Sequence, residues 1–238
     1  MFQSALDLLY PRRCVTCDND TQDIDALCGE CWSKTPFLGG ALCDKCGINL
    51  PGDEEDSILC DDCLTVARPW LQGRAALRYT DNARKLILRL KHGDRSDLAR
   101  PAGQWMARAA APILQPDMML APVPLHWRRF LSRTYNQSAE LAKSVALATD
   151  LPVLLDALER RKPTVVLDGL NRDERFQAVS DCIGVTAKHA AKIQGRHMLL
   201  IDDVMTSGAT LAASASACLD AGAKEISVVT LARVGKEA

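Results

Sequence analysis

Eight of the ten cysteines in this chain lie before residue 64 and are spaced as Cys-x-x-Cys pairs. The pairs are Cys14/Cys17, Cys28/Cys31, Cys43/Cys46 and Cys60/Cys63. Each pair puts two sulfur atoms on one side of a tight turn, and two such turns complete a tetrahedral set of four thiolates, which suits Zn²⁺. We therefore expect two structural zinc sites. Because this region is short and polar, metal binding should supply much of its folding free energy.

The order of the four pairs allows two ways of assembling these sites. Sequential pairing joins the first pair with the second and the third with the fourth, which gives two ribbons with short loops, whereas a cross-braced arrangement interleaves the pairs. An iron–sulfur cluster usually shows other cysteine spacings, so zinc is favoured. The two remaining cysteines, Cys182 and Cys218, stand apart and are expected in the core.

The sequence predicts neither a membrane span nor an export signal. No apolar stretch approaches the roughly 20 residues of a membrane helix, and residues 1–10 lack the basic start and long apolar centre of a signal peptide. We therefore expect a cytoplasmic protein without membrane insertion. In that compartment, paired cysteines bind metal more often than they form disulfides.

Residues 198–210 join an apolar segment, two adjacent carboxylates and a loop of small and hydroxyl-bearing residues. Four apolar residues bounded by turn chemistry predict a buried strand of a parallel sheet. After the loop, Leu211, Ala215, Cys218 and Leu219 fall on one helical face. The segment is therefore expected to be a strand, a loop and the start of a helix.

This arrangement suits a phosphorylated sugar. Asp202 and Asp203 lie at the carboxyl end of the strand, where they can accept hydrogen bonds from sugar hydroxyls or hold hydrated Mg²⁺. The start of a helix offers backbone N–H groups to a phosphate, and a glycine in the loop permits close approach. The residues expected to hold the phosphate are Met205, Thr206, Ser207, Gly208, Ala209 and Thr210. If the acids merely capped the helix, one would suffice, and the defining motifs of P-loop and dinucleotide-binding proteins do not occur.

The periodicity after Arg68-Pro69 indicates a second domain. We expect a boundary there, with a zinc module at 1–68 and a larger domain at 69–238. Apolar spacing predicts helices near residues 83–90, 98–109 and 136–148, and strands at 119–125, 198–201 and 226–231. Because the strands alternate with helices, the fold class is α/β with a mostly parallel sheet.

Charge divides at the same boundary. Residues 1–68 carry 13 acidic side chains against five basic ones, whereas residues 69–238 carry 24 basic side chains against 17 acidic ones. Nucleic acid, if bound, should therefore contact the second domain. Residues 74–100 are its densest basic stretch, and three interpretations remain open: a solvated helix face, a wall of the active site, or a track for single-stranded DNA.

Taken in order, the motifs resemble the ComF family. They are the four cysteine pairs, Leu-Arg-Leu-Lys-His-Gly at 88–93, Val-Pro-Leu-His at 123–126, Arg-Thr-Tyr-Asn-Gln at 133–137 and the Asp-Asp loop, whose sequence is similar to the signature of type I phosphoribosyltransferases. The resemblance implies a double zinc ribbon followed by a type I phosphoribosyltransferase-like domain, in a family associated with DNA uptake by naturally competent bacteria. The implied ligand is phosphoribosyl pyrophosphate (PRPP) with Mg²⁺.

In such a site, Asp202 and Asp203 are the expected catalytic residues, since they would orient the ribose while Mg²⁺ neutralises the pyrophosphate. Cations should meet the leaving group. Arg128, Arg129 and Arg133, in the loop after the 119–125 strand, are the first candidates, and Lys91 is a weaker one.

Three classes of function remain open. One is a PRPP-binding protein with a role in DNA uptake, in contact with single-stranded DNA and DNA-uptake proteins. Another is an active phosphoribosyltransferase of nucleotide or cofactor metabolism, whose acceptor the sequence does not identify. The third is a zinc-dependent scaffold or single-stranded DNA-binding accessory without catalysis, which would not need the Asp-Asp loop.

Overall fold

The computed structural model describes residues 11–21, 26–52, 58–92, 96–124, 136–161, 174, 176 and 182–235. Its helices are α1 (Gly29–Ser33), α2 (Asp61–Thr65), α3 (Asp81–His92), α4 (Ala99–Ala110), α5 (Gln137–Thr149), α6 (Ala190–Ile193) and α7 (Ala209–Asp220). Its strands are β1 (Gln72–Arg78), β2 (Met119–Pro122), β3 (Leu158–Arg160), β4 (Ile183–Val185), β5 (His197–Met205) and β6 (Glu225–Arg233).

A four-stranded parallel sheet forms the centre of the fold, in the order β1-β6-β5-β2. The central strand β6 is buried along nearly its whole length, as parallel strands covered by helices on both faces are. A separate antiparallel pair, β3 and β4, lies outside this sheet. The predicted α/β fold with a mostly parallel sheet is confirmed.

Alternation along β5 divides the core into two layers. Leu199 and Ile201 belong to one apolar cluster, which includes side chains of α3, α4 and α5. Met198 and Leu200 belong to the other, together with side chains of α7, β3 and β4. Because successive residues of a strand point to opposite faces, one apolar run serves both layers.

The predicted helices lie close to their expected positions, but several strands differ. The ladder between β5 and β6 continues through the pairs Asp202–Thr230 and Met205–Arg233, so both strands extend beyond the apolar runs that predicted them. Strand β1 was not predicted, since its sequence contains a glycine and two arginines. Leu219, which was expected on the buried face of α7, is 39% exposed.

The cysteine-rich segment covers the outer edge of β1. The Leu38 amide donates to the Ala76 carbonyl at 3.0 Å, and the Arg78 amide donates to the Pro36 carbonyl at 2.9 Å. Further along the strand, the Gly73 amide donates to the Asp44 carbonyl at 2.7 Å. The unpaired backbone N–H and C=O groups of an exposed sheet edge can pair with other chains. Here the cysteine-rich segment binds some of these groups on β1.

Gly47 allows the second half of this segment to approach β1. Its φ is +69°, and a Cβ atom there would lie 2.5 Å from the amide nitrogen of Ala75. Neither the backbone conformation nor the space therefore accepts a side chain.

Within the part of the chain that the structure describes, no helix has both the length and the apolar character needed to cross a membrane.

We expect Gly47→Ala to lower the free energy of unfolding by about 2 kcal/mol or more, because a left-handed conformation and a backbone clash combine. Chemical denaturation of the zinc-loaded protein measures the change. Gly39→Ala is the matched control, since a Cβ atom at Gly39 meets nothing within 4 Å. Equal stability of the two variants would contradict the close packing of the segment on β1.

Candidate functional site

The eight paired cysteines form two tetrads. One consists of Cys14, Cys17, Cys28 and Cys31, and the other of Cys43, Cys46, Cys60 and Cys63; within each, the sulfur atoms lie within 4.8 Å of one another. The structure therefore has the sequential pairing, and the cross-braced alternative is wrong. The second tetrad lies against β1 and the apolar layer around α7.

The geometry of both tetrads fits Zn²⁺. The sulfurs of Cys17 and Cys28 are 3.6 Å apart, and those of Cys46 and Cys60 are 3.7 Å apart. Two sulfurs bound about 2.3 Å from one tetrahedral ion would be separated by about 3.8 Å. The Cys43 sulfur also accepts a hydrogen bond from the Cys60 amide at 3.3 Å, an interaction that favours a thiolate.

We expect metal analysis of the purified protein to give two Zn²⁺ per chain. Cys28→Ser and Cys60→Ser each remove the half-buried first cysteine of the second pair in one tetrad, so each should reduce the content to about one. A wild-type content near one, or bound iron with visible absorbance, would contradict the two zinc sites.

A pair of carboxylates lies at the carboxyl end of the sheet, where β5 approaches α3 and α5. Asp202 Oδ1 accepts hydrogen bonds from the Ser138 hydroxyl at 3.0 Å and from the Asp203 amide at 2.9 Å. Asp203 Oδ2 lies 2.9 Å from Lys91 Nζ, and both side chains are largely buried. Three separate elements thus bring one hydroxyl and one ammonium to two adjacent acids.

Burial, together with the negative charge of Asp203, raises the pKa of Asp202 to about 7. The hydrogen bonds from the Asp203 amide and Ser138 and the charge of Lys91 act in the opposite direction but do not offset the loss of hydration. Near neutral pH, Asp202 therefore changes readily between a hydrogen-bond donor and an acceptor, which suits a group that meets sugar hydroxyls.

The folded state binds a proton at Asp202 between about pH 4 and pH 7, whereas the unfolded chain does not. The free energy of unfolding should therefore fall as pH rises through this window. We expect Asp202→Asn to remove this slope and to stabilise the ligand-free protein at pH 8 by roughly 2–4 kcal/mol.

Urea denaturation between pH 5 and pH 8 measures the difference. Asp220→Asn, at the exposed end of α7, is the control and should retain the wild-type slope. An unchanged slope in Asp202→Asn would show that Asp202 is ionised throughout.

The loop after β5 opens α7 as predicted. Gly208 is the N-cap of α7 and has φ +83°, and the Ser207 hydroxyl accepts a hydrogen bond from the Ala209 amide at 3.3 Å. The first amides of a helix have no partner within the helix. Met205 and Ala209 are buried and can offer only backbone atoms, whereas Thr206 is exposed and Ser207 and Thr210 are partly exposed. We call residues 205–210 the phosphate loop.

Two buried arginines hold the carbonyl groups of the phosphate loop. Arg233 Nη1 donates to the carbonyls of Thr206 at 2.7 Å and Met205 at 3.2 Å. Arg68 Nη1 donates to the carbonyl of Ser207. Arg233 is 3% exposed and Arg68 is 7% exposed.

These contacts determine which way the loop amides face. In a trans peptide, the N–H and C=O groups point in opposite directions, and the described residues contain no cis peptide. With three consecutive carbonyls bound by arginines, the amides of Thr206, Ser207 and Gly208 point away from those arginines. Successive amides on one side of a turn form a concave anion site.

Sequence reasoning missed Ser138, Arg68 and Arg233. Arg233 directly follows the apolar residues Leu231 and Ala232 at the end of β6, and a charge at the end of such a run is the signal that could have identified it. Ser138 and Arg68 carry no comparable signal, because each reaches the site only through tertiary packing.

The predicted cations fall into two groups. Arg128, Arg129 and Arg133 lie outside the described residues. Among the described residues of the basic stretch 74–100, Arg74 pairs with Asp44 at 3.1 Å, Arg89 with Asp18 at 3.9 Å, and Lys91 with Asp203 at 2.9 Å. These pairs do not favour a continuous nucleic-acid track. Arg84 and Lys85 are exposed.

Known families match both parts of the chain. Residues 5–64 match the double zinc ribbon domain, and residues 137–238 match the phosphoribosyl transferase domain. DNA utilization protein YhgH of Escherichia coli (strain K12) is 28% identical over 213 residues, which cover 87% of this chain and 90% of that protein. Competence protein ComFC of Bacillus subtilis (strain 168) is 27% identical over a 240-residue alignment, which covers 92% of this chain and 94% of that protein. These two domain matches, in this order, and the similarity to a competence protein over most of the chain agree with the expected resemblance to the ComF family.

Among solved structures, the glutamine phosphoribosylpyrophosphate amidotransferase from B. subtilis aligns with this chain at a TM-score of 0.41 and 17% identity. The alignment covers 60% of this chain and 30% of the amidotransferase.

Proposed function

We propose that this protein acts as a member of the ComF family. It binds PRPP together with Mg²⁺ between the Asp202–Asp203 pair and the phosphate loop, and it serves DNA utilisation or uptake through this ligand. The observation that carries the proposal is the orientation of the phosphate loop. Its carbonyls are bound by Arg68 and Arg233, so its amides are available to a phosphate next to two carboxylates.

In this proposal the 5-phosphate lies on the amides of Thr206, Ser207 and Gly208, and the loop hydroxyls supply further donors. Asp202 and Asp203 precede the loop on the same strand and accept hydrogen bonds from the ribose hydroxyls. Ser138 keeps Asp202 in place through its hydrogen bond to Oδ1.

Charge balance gives Mg²⁺ its role. Lys91 neutralises the charge of Asp203, at an Nζ–Oδ2 distance of 2.9 Å, but not that of Asp202. A pyrophosphate would add several negative charges. Mg²⁺ is typically bound by one or two carboxylates and the phosphates of a substrate, which matches this set of groups. The ion would screen the repulsion between ligand and protein.

The relatives support the cellular role. One is named DNA utilization protein and another competence protein, and both are similar to this chain over most of its length. The acidic character of residues 1–68 argues that DNA, if it binds this chain directly, contacts the second domain.

A phosphoribosyl transfer reaction is the second candidate function, and the match to the phosphoribosyl transferase domain favours it. Transfer passes through a positively charged state of the ribose as pyrophosphate departs. Carboxylates fixed beside the ribose would stabilise that charge, and the phosphate loop would keep the sugar in position. Release of pyrophosphate from PRPP in the presence of candidate acceptors tests this function.

We expect PRPP with Mg²⁺ to stabilise the protein by about 2.7 kcal/mol at a ligand concentration of about 100 times the dissociation constant. Thermal unfolding across PRPP concentrations, with and without Mg²⁺, measures the effect. The double variant Asp202→Asn/Asp203→Asn should lose this stabilisation, because the ribose hydroxyls lose their carboxylate acceptors and the cation loses its carboxylate ligands. Ribose 5-phosphate and pyrophosphate, tested separately, distinguish the two halves of the site.

Asp220→Asn is the control for a nonspecific loss of charge and should respond to PRPP as the wild type does. An unfolding temperature that does not change with PRPP, or that rises equally without Mg²⁺, would contradict the proposal.

A further inference from the structure

The two turns of the second tetrad lie close to the phosphate loop. Lys45 lies between Cys43 and Cys46 in one turn, and Asp62 lies between Cys60 and Cys63 in the other. Each turn connects to the loop through one of the two buried arginines that bind the loop carbonyls. The tetrad and the loop are therefore joined by two separate chains of contacts.

The first chain passes through Asp62. Its Oδ2 lies 3.6 Å from Arg233 Nη2, while Nη1 of the same guanidinium binds the carbonyl of Thr206 at 2.7 Å. Arg233 is 3% exposed, so its charge is almost entirely removed from water. A buried guanidinium needs a compensating carboxylate, and loss of that partner leaves an unpaired buried charge.

The second chain passes through Lys45. Its carbonyl accepts a hydrogen bond from the Trp70 indole nitrogen at 2.6 Å, and its ammonium donates to the Trp70 carbonyl. The Arg68 guanidinium lies over the Trp70 ring, 5.4 Å from the centroid, and binds the carbonyl of Ser207. A Cβ atom at Gly208 would clash with Arg68 Nη1, so the guanidinium fits closely beneath the loop.

The first tetrad offers a matched comparison. Glu30 occupies the same position between Cys28 and Cys31 that Asp62 occupies between Cys60 and Cys63. It pairs with Lys34, at the end of its own short helix, at 2.6 Å, and both side chains are exposed.

We propose that metal binding at Cys43, Cys46, Cys60 and Cys63 fixes the carbonyl side of the phosphate loop through Asp62–Arg233 and Trp70–Arg68, so that the second tetrad sets the loop's affinity for a phosphate ligand. Arg68 and Arg233 are positioning residues in this arrangement. The inference about affinity rests on the proposed function, whereas the inference about loop order does not.

The physical reason is that the metal fixes the two turns. Zn²⁺ bound by four thiolates joins the turn that carries Lys45 to the turn that carries Asp62 and fixes both relative to the sheet. Without the ion, the turn that carries Asp62 loses its main constraint, and Arg233 loses its fixed partner. The loop carbonyls are then no longer oriented, and the amides on the other side of each peptide lose their common direction.

Amide hydrogen exchange of the full-length, zinc-loaded protein without ligand tests the linkage. We expect Asp62→Asn to speed exchange at residues 206–211 about tenfold, because one charge-assisted contact beneath the loop is lost. Glu30→Gln should leave this segment at the wild-type rate. Asp62→Glu, which retains the charge, should restore slow exchange, a result that a merely structural defect would not give.

The metal is tested with Cys60→Ser and Cys28→Ser. Both should lose one zinc, but only Cys60→Ser should speed exchange in the phosphate loop. Cys28→Ser should affect residues 11–38 instead. Calorimetry with PRPP and Mg²⁺ should show about tenfold weaker binding by Asp62→Asn and wild-type binding by Glu30→Gln.

Wild-type exchange rates at 206–211 in Asp62→Asn and Cys60→Ser would overturn the linkage, as would an equal loop effect in Cys28→Ser. If PRPP fails to bind the wild type while Asp62→Asn and Cys60→Ser still loosen the loop, the proposed function fails and the linkage between tetrad and loop stands.

Discussion

The register of β5 against β6 is the constraint on which the rest of the site depends. It pairs Asp202 with Thr230 and Met205 with Arg233 in one continuous parallel ladder. Because of this register, the last residue of β6 lies directly beside the first residue of the phosphate loop. A slip by one residue would turn Arg233 to the other face of the sheet and leave the loop carbonyls without their donor. The same ladder holds the two carboxylates rigidly, since they belong to the strand and not to a free loop.

The site also shows how a polar centre is tolerated within a well-packed fold. Asp202 is placed where burial disfavours its charge, and its pKa rises to about 7 in spite of two hydrogen bonds. Asp203, one residue later, is compensated by Lys91 at 2.9 Å. Two adjacent acids thus meet different surroundings, because Asp202 is hydrogen-bonded by Ser138 of α5 whereas Asp203 pairs with Lys91 of α3. Such a division of roles between neighbouring carboxylates is typical of binding and catalytic sites.

The cysteine-rich segment contributes to the second domain as well as to its own fold. It donates and accepts backbone hydrogen bonds along β1, and its second tetrad belongs to the same apolar layer as α7. Its sequence suggested a separate module, since its charge and composition change abruptly near residue 68. In the structure, Arg68 and Trp70 at that junction lie beneath the phosphate loop. The composition of the chain therefore changes at the same place where the junction residues contact the phosphate loop.

The sequence by itself determined the features that depend on local spacing. Four cysteine pairs predicted two metal sites, the apolar runs predicted the central strands, and the order of strand, Asp202–Asp203, loop and helix predicted the arrangement around Gly208. Only the tertiary structure decided which cysteine pairs combine and which distant residues reach the loop. Ser138 lies 64 residues from Asp202, and Arg68 lies 139 residues from Ser207. Contacts over such separations are set by strand register and helix packing, which leave no periodic pattern in the sequence around either partner.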